Sequence, residues 1–469
     1  MITKEQLVAI GAENLADILL SIYNSNDDIQ KQLDIIVAGT NDDPKKIISL
    51  IKKEINTLRR STKFVDYFGS RQLGDRLDKI RFYITEDLMP KSPLQAIELM
   101  KDFLNLHEST LNRVDDSNGE VGCSFTLGCI DLGKMYEEIS LPIKEVTEFV
   151  FTCYMNDSYG IFNQIIENFK NSLKEEGLEL LKSKIQNVIN EKNINVIQRG
   201  LQAIADCQKD VDSYIKACFM TTNKLSTYEH LEIARRFIAQ WKGTEALKWL
   251  DEIDLTQNEN RKYQYRELKI QAFELNGEYD KAQQEALVWF EESLCPEVYG
   301  QILSHATPEF KESFKLQAVA KAFEFREPHT ALAFLMQAQE FEEAIKLTRL
   351  RIDQLNGGQY YTLRPTAEIF RKIDPLAAML LYRKMLQAVV DGAKSKYYNY
   401  AAKDLVACGN LSTQITNWEI YDDHNKYLQE LEIKHKRKVS FWQKYNSILQ
   451  KQIAKELKQS AKKDKENKL

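Results

Sequence analysis

The chain is 469 residues long, 43% apolar and 28% charged, with a formal net charge of −5 at pH 7. That balance excludes a disordered polyelectrolyte, and no run approaches the ~20 apolar residues of a helical membrane span. Only 9 prolines occur, none between Pro142 and Pro296, and 18 glycines, so residues that interrupt helices are scarce and an all-α chain is expected.

In chain order, Thr3 and Gln6 form a capping box that opens a first helix, with Leu7, Ile10, Leu15, Ile18 and Leu19 as its expected buried positions. Glu5, Glu13 and Asp17 run through this segment, which argues against a signal peptide. Lys45 to Arg59 is the next helix. Phe64 to Phe68 follows, and then a helix from about Ser70 to Thr85. Ser92, Pro93 and Gln95 mark a further helix start, running through Phe103 and Leu106. The polar stretch Arg113 to Glu120 breaks the periodicity. Pro142 to Tyr154 resumes it, and a charged helix spans Phe162 to about Ile189. A boundary is placed near Asn190 to Asn195. The expected division is an N-terminal helical domain over 1–190, helical repeats over 191–420, and a helix with a basic tail over 421–469.

Beyond the boundary the pattern becomes paired. In Tyr265 to Glu291 one apolar face carries Tyr265, Leu268, Ala272 and Leu275, and a second carries Tyr279, Ala282, Ala286 and Trp289, with Gly277 as the reversal. Ser226 and Glu229 make a second capping box, whose helix is read through Trp241 with Gly243 as its turn. Leu332 to Ala338 turns at Gln339 to Phe341, and Asp374-Pro375 caps another helix. The alanines after these turns, Ala246, Ala282, Ala344 and Ala377, are spaced 36, 62 and 33 residues apart. This fits a period of roughly 31–36 residues, that of a helix–turn–helix array. The fold expectation is therefore an N-terminal helical domain running into an α-solenoid of helical hairpins.

The Gly277 to Ala282 spacing resembles the tetratricopeptide repeat. Four stretches together resemble an uncharacterised bacterial family of helical proteins, a domain of unknown function. They are Phe64 to Tyr67, Leu111 to Gly122, Ile233 to Phe237 running on to Glu245–Leu250, and His424 through Lys438 to Phe441-Trp442. They are also similar to the helical region that accompanies some SWIM zinc-finger proteins. The resemblance implies a helical-repeat fold without an established activity. SWIM fingers hold zinc through C-x-C and C-x-H pairs, and this sequence has neither, so no zinc is carried over.

The site candidates are few. In the 113–120 loop, Asp115, Asp116, Asn118 and Glu120 carry the hard oxygens that Mg²⁺ or Ca²⁺ prefers, beside Arg113. An EF-hand register fails, because Gly119 at the sixth position puts Val114 at the first. The competing reading is structural, with Asp115 or Asp116 capping the following helix and Gly119 relieving a turn. From Lys434 onward there are 12 Lys/Arg and three acids, so the tail carries +9 and the rest of the chain −14. There Lys434, Lys436, Arg437 and Lys438 precede Phe441 and Trp442, a mix found on nucleic-acid surfaces and also on amphipathic packing helices. His424 and His435 lie three turns apart on one face, too far apart to share an ion. The Arg59, Arg60, Lys63, Arg71, Arg76 and Arg81 set is interleaved with Asp66, Asp75 and Asp78, as on an ion-paired surface. Cys153 with His107 has no supporting motif, and no phosphate loop or hydrolase elbow occurs.

Seven cysteines, odd in number and without a CxxC pair, indicate reduced thiols and a cytoplasmic location. The expected role is a non-enzymatic scaffold that holds another protein or peptide, without cofactor, metal or membrane. The alternatives are nucleic-acid association through the basic tail, or metal-dependent chemistry at the 113–120 loop.

Overall fold

A computed structural model describes residues 3–23, 29–30, 33–34, 37, 44–257 and 259–466. The described residues are helical, with no strand beyond an isolated parallel bridge between Val65 and Val114. None of these helices is long and apolar enough to cross a membrane. The chain divides into two compact units, Met1–Gln240 and Trp241–Leu469.

In the first unit, Ile47, Ile51, Ile55 and Leu58 recur along Pro44–Arg60 as one stripe, each at most 3% exposed. This stripe joins a core built with Tyr67–Phe82, Pro93–Leu104 and Glu120–Glu138, where the Phe103 and Phe125 rings lie 5.2 Å apart. The expected Ser70–Thr85 helix ends at Phe82 and continues as a π-turn, Tyr83–Leu88, closed by the Met89 amide on the Ile84 carbonyl at 3.0 Å. The wider turn puts Tyr83, Ile84, Leu88 and Met89 all into the core. Ile143–Met155, Lys170–Asn187 and Ile194–Gln208 then pack in sequence, and the Tyr154 hydroxyl donates to the Val196 carbonyl at 2.8 Å. The Asn190–Asn193 turn thus lies inside the first unit.

At the N-terminus the Thr3–Gln6 capping box forms. Gly11, at φ +90°, then separates Lys4–Val8 from Ala12–Tyr23. The expected burial fails here: Leu7, Ile10, Ile18 and Leu19 are all exposed, and Ala12–Tyr23 buries none of its residues. The amphipathic stripe is real, but nothing among the described residues covers it.

In the second unit, helices pack on their chain neighbours: Lys262–Leu275 on Tyr279–Ser293, Pro328–Gln337 on Phe341–Arg351, and Tyr360–Phe370 on Pro375–Asp391, which packs on Tyr398–Ser412. An aromatic cluster fills the middle, with Phe290 5.3 Å from Phe314 and 5.2 Å from Phe334. The packed face of Tyr279–Ser293 is Ala282, Ala286 and Phe290. The expected Tyr279 is exposed and Trp289 only half-buried. Phe290 continues the four-residue spacing of the two alanines, so it takes the inward position.

One local device recurs. Lys209, Trp241, Gly277, Leu294 and Gln339 all take the left-handed conformation. Each stands two residues before a helix start: Val211, Gly243, Tyr279, Pro296 and Phe341. Five residues after each comes a buried side chain: Tyr214, Ala246, Ala282, Tyr299 and Ala344. Three of the reversals close in the Schellman manner: the Asp210 amide donates to Ala205, the Glu278 amide to Phe273 and the Glu340 amide to Leu335, each at 2.9 Å. The left-handed residue after Thr227–Ala239, the helix opened by the second capping box, is therefore Trp241. Gly243 instead begins the next helix, where a side chain would strike Ala272 and Asn276.

Candidate functional site

A concavity in the first unit begins with the non-helical segment 61–66. The Val65 amide donates to the Arg113 carbonyl and the Asp115 amide to the Val65 carbonyl, both at 2.9 Å. Asp66 then caps Tyr67–Phe82 by accepting from the Gly69 amide at 2.9 Å. This pins the segment over the helices as the wall of a groove of about 870 Å³. Ile51, Leu73, Ile80 and Tyr83, all buried, form its floor. Arg76 crosses it to Glu54, with Nε and Nη2 at 3.0 and 2.5 Å from the carboxylate. Lys63, Lys79, Asp66 and Asp75 add charge, and Phe64 stands exposed at the edge. Burial, with the Asp87 charge, raises the Tyr83 phenol above its ordinary pKa and keeps it protonated. The groove offers an apolar floor and a charged rim, which suits binding rather than proton transfer.

The 113–120 loop lies behind this wall, and its oxygens are engaged by the loop itself. Asp116 accepts from the Val121 and Gly122 amides at 2.9 and 2.8 Å, capping Glu120–Glu138. Asp115 accepts from the Ser117 amide and hydroxyl at 3.3 and 2.5 Å. Asn118 donates to Ser70 Oγ at 2.8 Å and accepts from the Glu120 amide at 3.3 Å. Gly119 takes φ +74°. Glu120 is an exposed first-turn residue. Among the described residues, no group of three His, Cys, Asp or Glu side chains could hold a metal ion. Arg113 is set apart from the carboxylates. Its Nη1 donates to the Lys63 carbonyl at 3.2 Å, and burial together with the Arg76 charge lowers its pKa.

His107 and Cys153 do not form a nucleophile and base. His107 Nδ1 lies 2.8 Å from the Leu104 carbonyl, and the ring packs among Phe125, Tyr159 and Phe162. Burial pushes the Cys153 thiol up to about 12, so it stays protonated.

In the second unit, the basic cluster is partly committed to the fold. Lys434 pairs with Asp391 at 3.0 Å, and His435 Nε2 lies 2.8 Å from the same carboxylate. Phe441 is fully buried. Trp442 is half-buried and donates through Nε1 to the His435 carbonyl at 3.1 Å, bracing His424–His435 against the last helix. Lys436 and Arg437 are exposed and Lys438 is half-buried. Side chains beyond Lys455, and residues 467–469, lie outside the described residues. His424 is buried beneath Arg383, whose guanidinium stacks 4.2 Å from the Tyr427 ring centroid. A surface that sequence reading did not single out lies on Tyr360–Phe370 and Tyr398–Ser412, where Tyr360, Tyr361, Tyr397 and Tyr400 are all exposed. Its signal is the pair of tyrosine-rich runs, Tyr360-Tyr361 and Tyr397-Tyr398 with Tyr400.

No curated protein and no solved structure matches the chain. Residues 1–196 and 187–444 match the model of a family of unknown function, DUF6880, and the chain belongs to that family.

Proposed function

We propose that this member of DUF6880 is a cytoplasmic interaction scaffold whose 191–420 hairpins form a tetratricopeptide-like α-solenoid. On this reading the helical-repeat surface holds another protein or peptide, and the chain performs no chemistry of its own. The observation that carries it is the recurring turn, in which a left-handed residue is followed by a helix start two residues on and a buried residue five on. A unit repeated in this way cannot bury both of its faces alone, so it stacks on its neighbours and presents an extended surface. Large exposed side chains on these hairpins, Trp241, Tyr279 and Tyr361 among them, are of the type that anchors protein interfaces. The likeness to the helical region beside SWIM fingers, read from residues 64–67, 111–122, 233–250 and 424–442 together, fits the same role.

The test is capture with the tagged full chain from its native host, with and without nuclease, followed by co-purification of the captured protein with the chain from a recombinant source. A protein recovered in stoichiometric amount after nuclease, and again in the purified pair, is expected. Recovery only of nucleic acid, or of proteins that nuclease removes, would replace this reading with one centred on Lys436, Arg437 and the rest of the basic tail.

A further inference from the structure

The two helices that carry the exposed tyrosines are joined by one internal ion pair. Arg364 on Tyr360–Phe370 makes a two-pronged contact with Asp404 on Tyr398–Ser412, at 2.7 and 2.8 Å. Asp404 is only 3% exposed, so this fork holds the helices in a fixed register. Tyr360 stands four residues before Arg364, and Tyr400 four residues before Asp404. The fork ties the two helices one turn in from their starts, where Tyr360, Tyr361, Tyr397 and Tyr400 are all exposed. The Tyr360 and Tyr361 rings lie 4.2 Å apart. The adjacent Tyr361 phenol, above all, raises the Tyr360 pKa, and the Tyr397 and Tyr400 phenols add to it.

Lysines border the patch, and the acids beside them are paired. Lys394, Lys396 and Lys403 are exposed and make no ion pair among the described residues; Lys403 Nζ lies 5.9 Å from the Tyr400 ring centroid. The nearby acids are already engaged: Asp404 by Arg364, and Glu368 by Arg371 at 3.1 Å and by the Tyr382 hydroxyl.

From this arrangement we infer that the patch is a docking site for an extended acidic segment of a partner protein. The inference rests on the scaffold reading above and names the working surface and its ligand class. Tyrosine rings give rigid contact area at low entropic cost, and the three lysines meet carboxylates.

The experiment selects random displayed dodecapeptides on the full-length chain and then titrates the winners as synthetic peptides. Enrichment of sequences with two or more Asp/Glu around an aromatic or leucine is expected. Their affinity should fall at least tenfold in Tyr361→Ala/Tyr400→Ala and in Lys394→Glu/Lys396→Glu, with thermal stability unchanged because these side chains are exposed. No enrichment, enrichment of non-acidic peptides, or equal binding to the variants overturns the proposal. So does an oligo(U) 12-mer that binds through the same residues and displaces the peptide. Capture of the same native partner by wild type and by Tyr361→Ala/Tyr400→Ala would remove the patch while leaving the scaffold reading intact.

Discussion

Asp116 shows how one side chain decides between two chemistries. Both of its oxygens accept backbone amides at the start of Glu120–Glu138, so its work is capping. Asp116→Ala should cost about 1–2 kcal/mol in unfolding free energy, near the upper end for a lost cap. Millimolar Ca²⁺ or Mg²⁺ should leave the melting temperature of the wild type unchanged; a metal-dependent rise that Asp116→Ala abolishes would restore the metal reading. The acid-rich run was legible in the sequence. Which amides it serves was not, because that depends on the loop folding back over its own helix start. His329 offers a second test at this scale. Its Nε2 accepts the Asn356 amide at 2.7 Å, and burial pushes its pKa below the ordinary value. His424 and His435 shift the same way, burial again first, with Arg383 adding to the effect on His424. A folded pKa below the unfolded one means that the unfolded chain takes up the proton first as pH drops. Stability is therefore full above the unfolded histidine range and declines below about pH 6.5, by up to about 1.4 kcal/mol per pH unit for each such group. His329→Leu should melt lower than wild type at pH 8, and the gap should narrow toward pH 5. An unchanged gap across this range would show that His329 does not titrate with folding.

At the scale of the element, the recurring turn explains both what the sequence reveals and where it misleads. The left-handed position is glycine in only one of the five turns, Gly277, and that one was readable. Trp241 holds the same conformation at φ 62°, so a search for glycine settles on Gly243 and displaces the turn by two residues. Ala246, Ala282 and Ala344 stood out because the fifth position of the turn is buried. Tyr214 and Tyr299 fill the same position, and a spacing counted on alanine alone passes over them. The device also makes opposite predictions for two exposed sites. Gly277 has φ +73° with nothing within 4 Å of an added Cβ, so Gly277→Ala tests conformation alone. It should destabilise by about 1–2 kcal/mol, the cost of a left-handed non-glycine residue. Gln339, at φ 63°, already bears that cost, and Gln339→Gly should stabilise by about 0.5–1 kcal/mol after the entropy of the freer unfolded chain is set against the relief. Chemical denaturation of both variants checks this; equal signs would mean that the turns are not equivalent.

For the whole molecule, helix content and the hairpin order followed from scarce proline and periodic apolar residues, because those signals are local. The inward partner of each face did not, since it depends on which neighbour arrives. Leu7, Ile10, Ile18 and Leu19 form a stripe that nothing described covers, whereas Phe441, placed among charges, is fully buried against Tyr398 with ring centroids 5.8 Å apart. The family match ends at residue 444, so the basic tail divides into a part that belongs to the fold and a part that follows it. Ending the chain after Gln450 keeps Phe441, Trp442 and Tyr445 in place. Its melting temperature should stay close to that of the full chain, and partner capture should persist. Ending it after Lys438 removes Phe441, and truncating such a buried aromatic costs about 3–5 kcal/mol. It also removes the Trp442 brace to His435. The shorter chain should melt well below the longer one and be cleaved faster by protease within 424–435, where the helix loses its support. If the two truncations instead melted together and both lost the partner, the tail beyond Gln450 would be the binding element, and the helical-repeat surface would not.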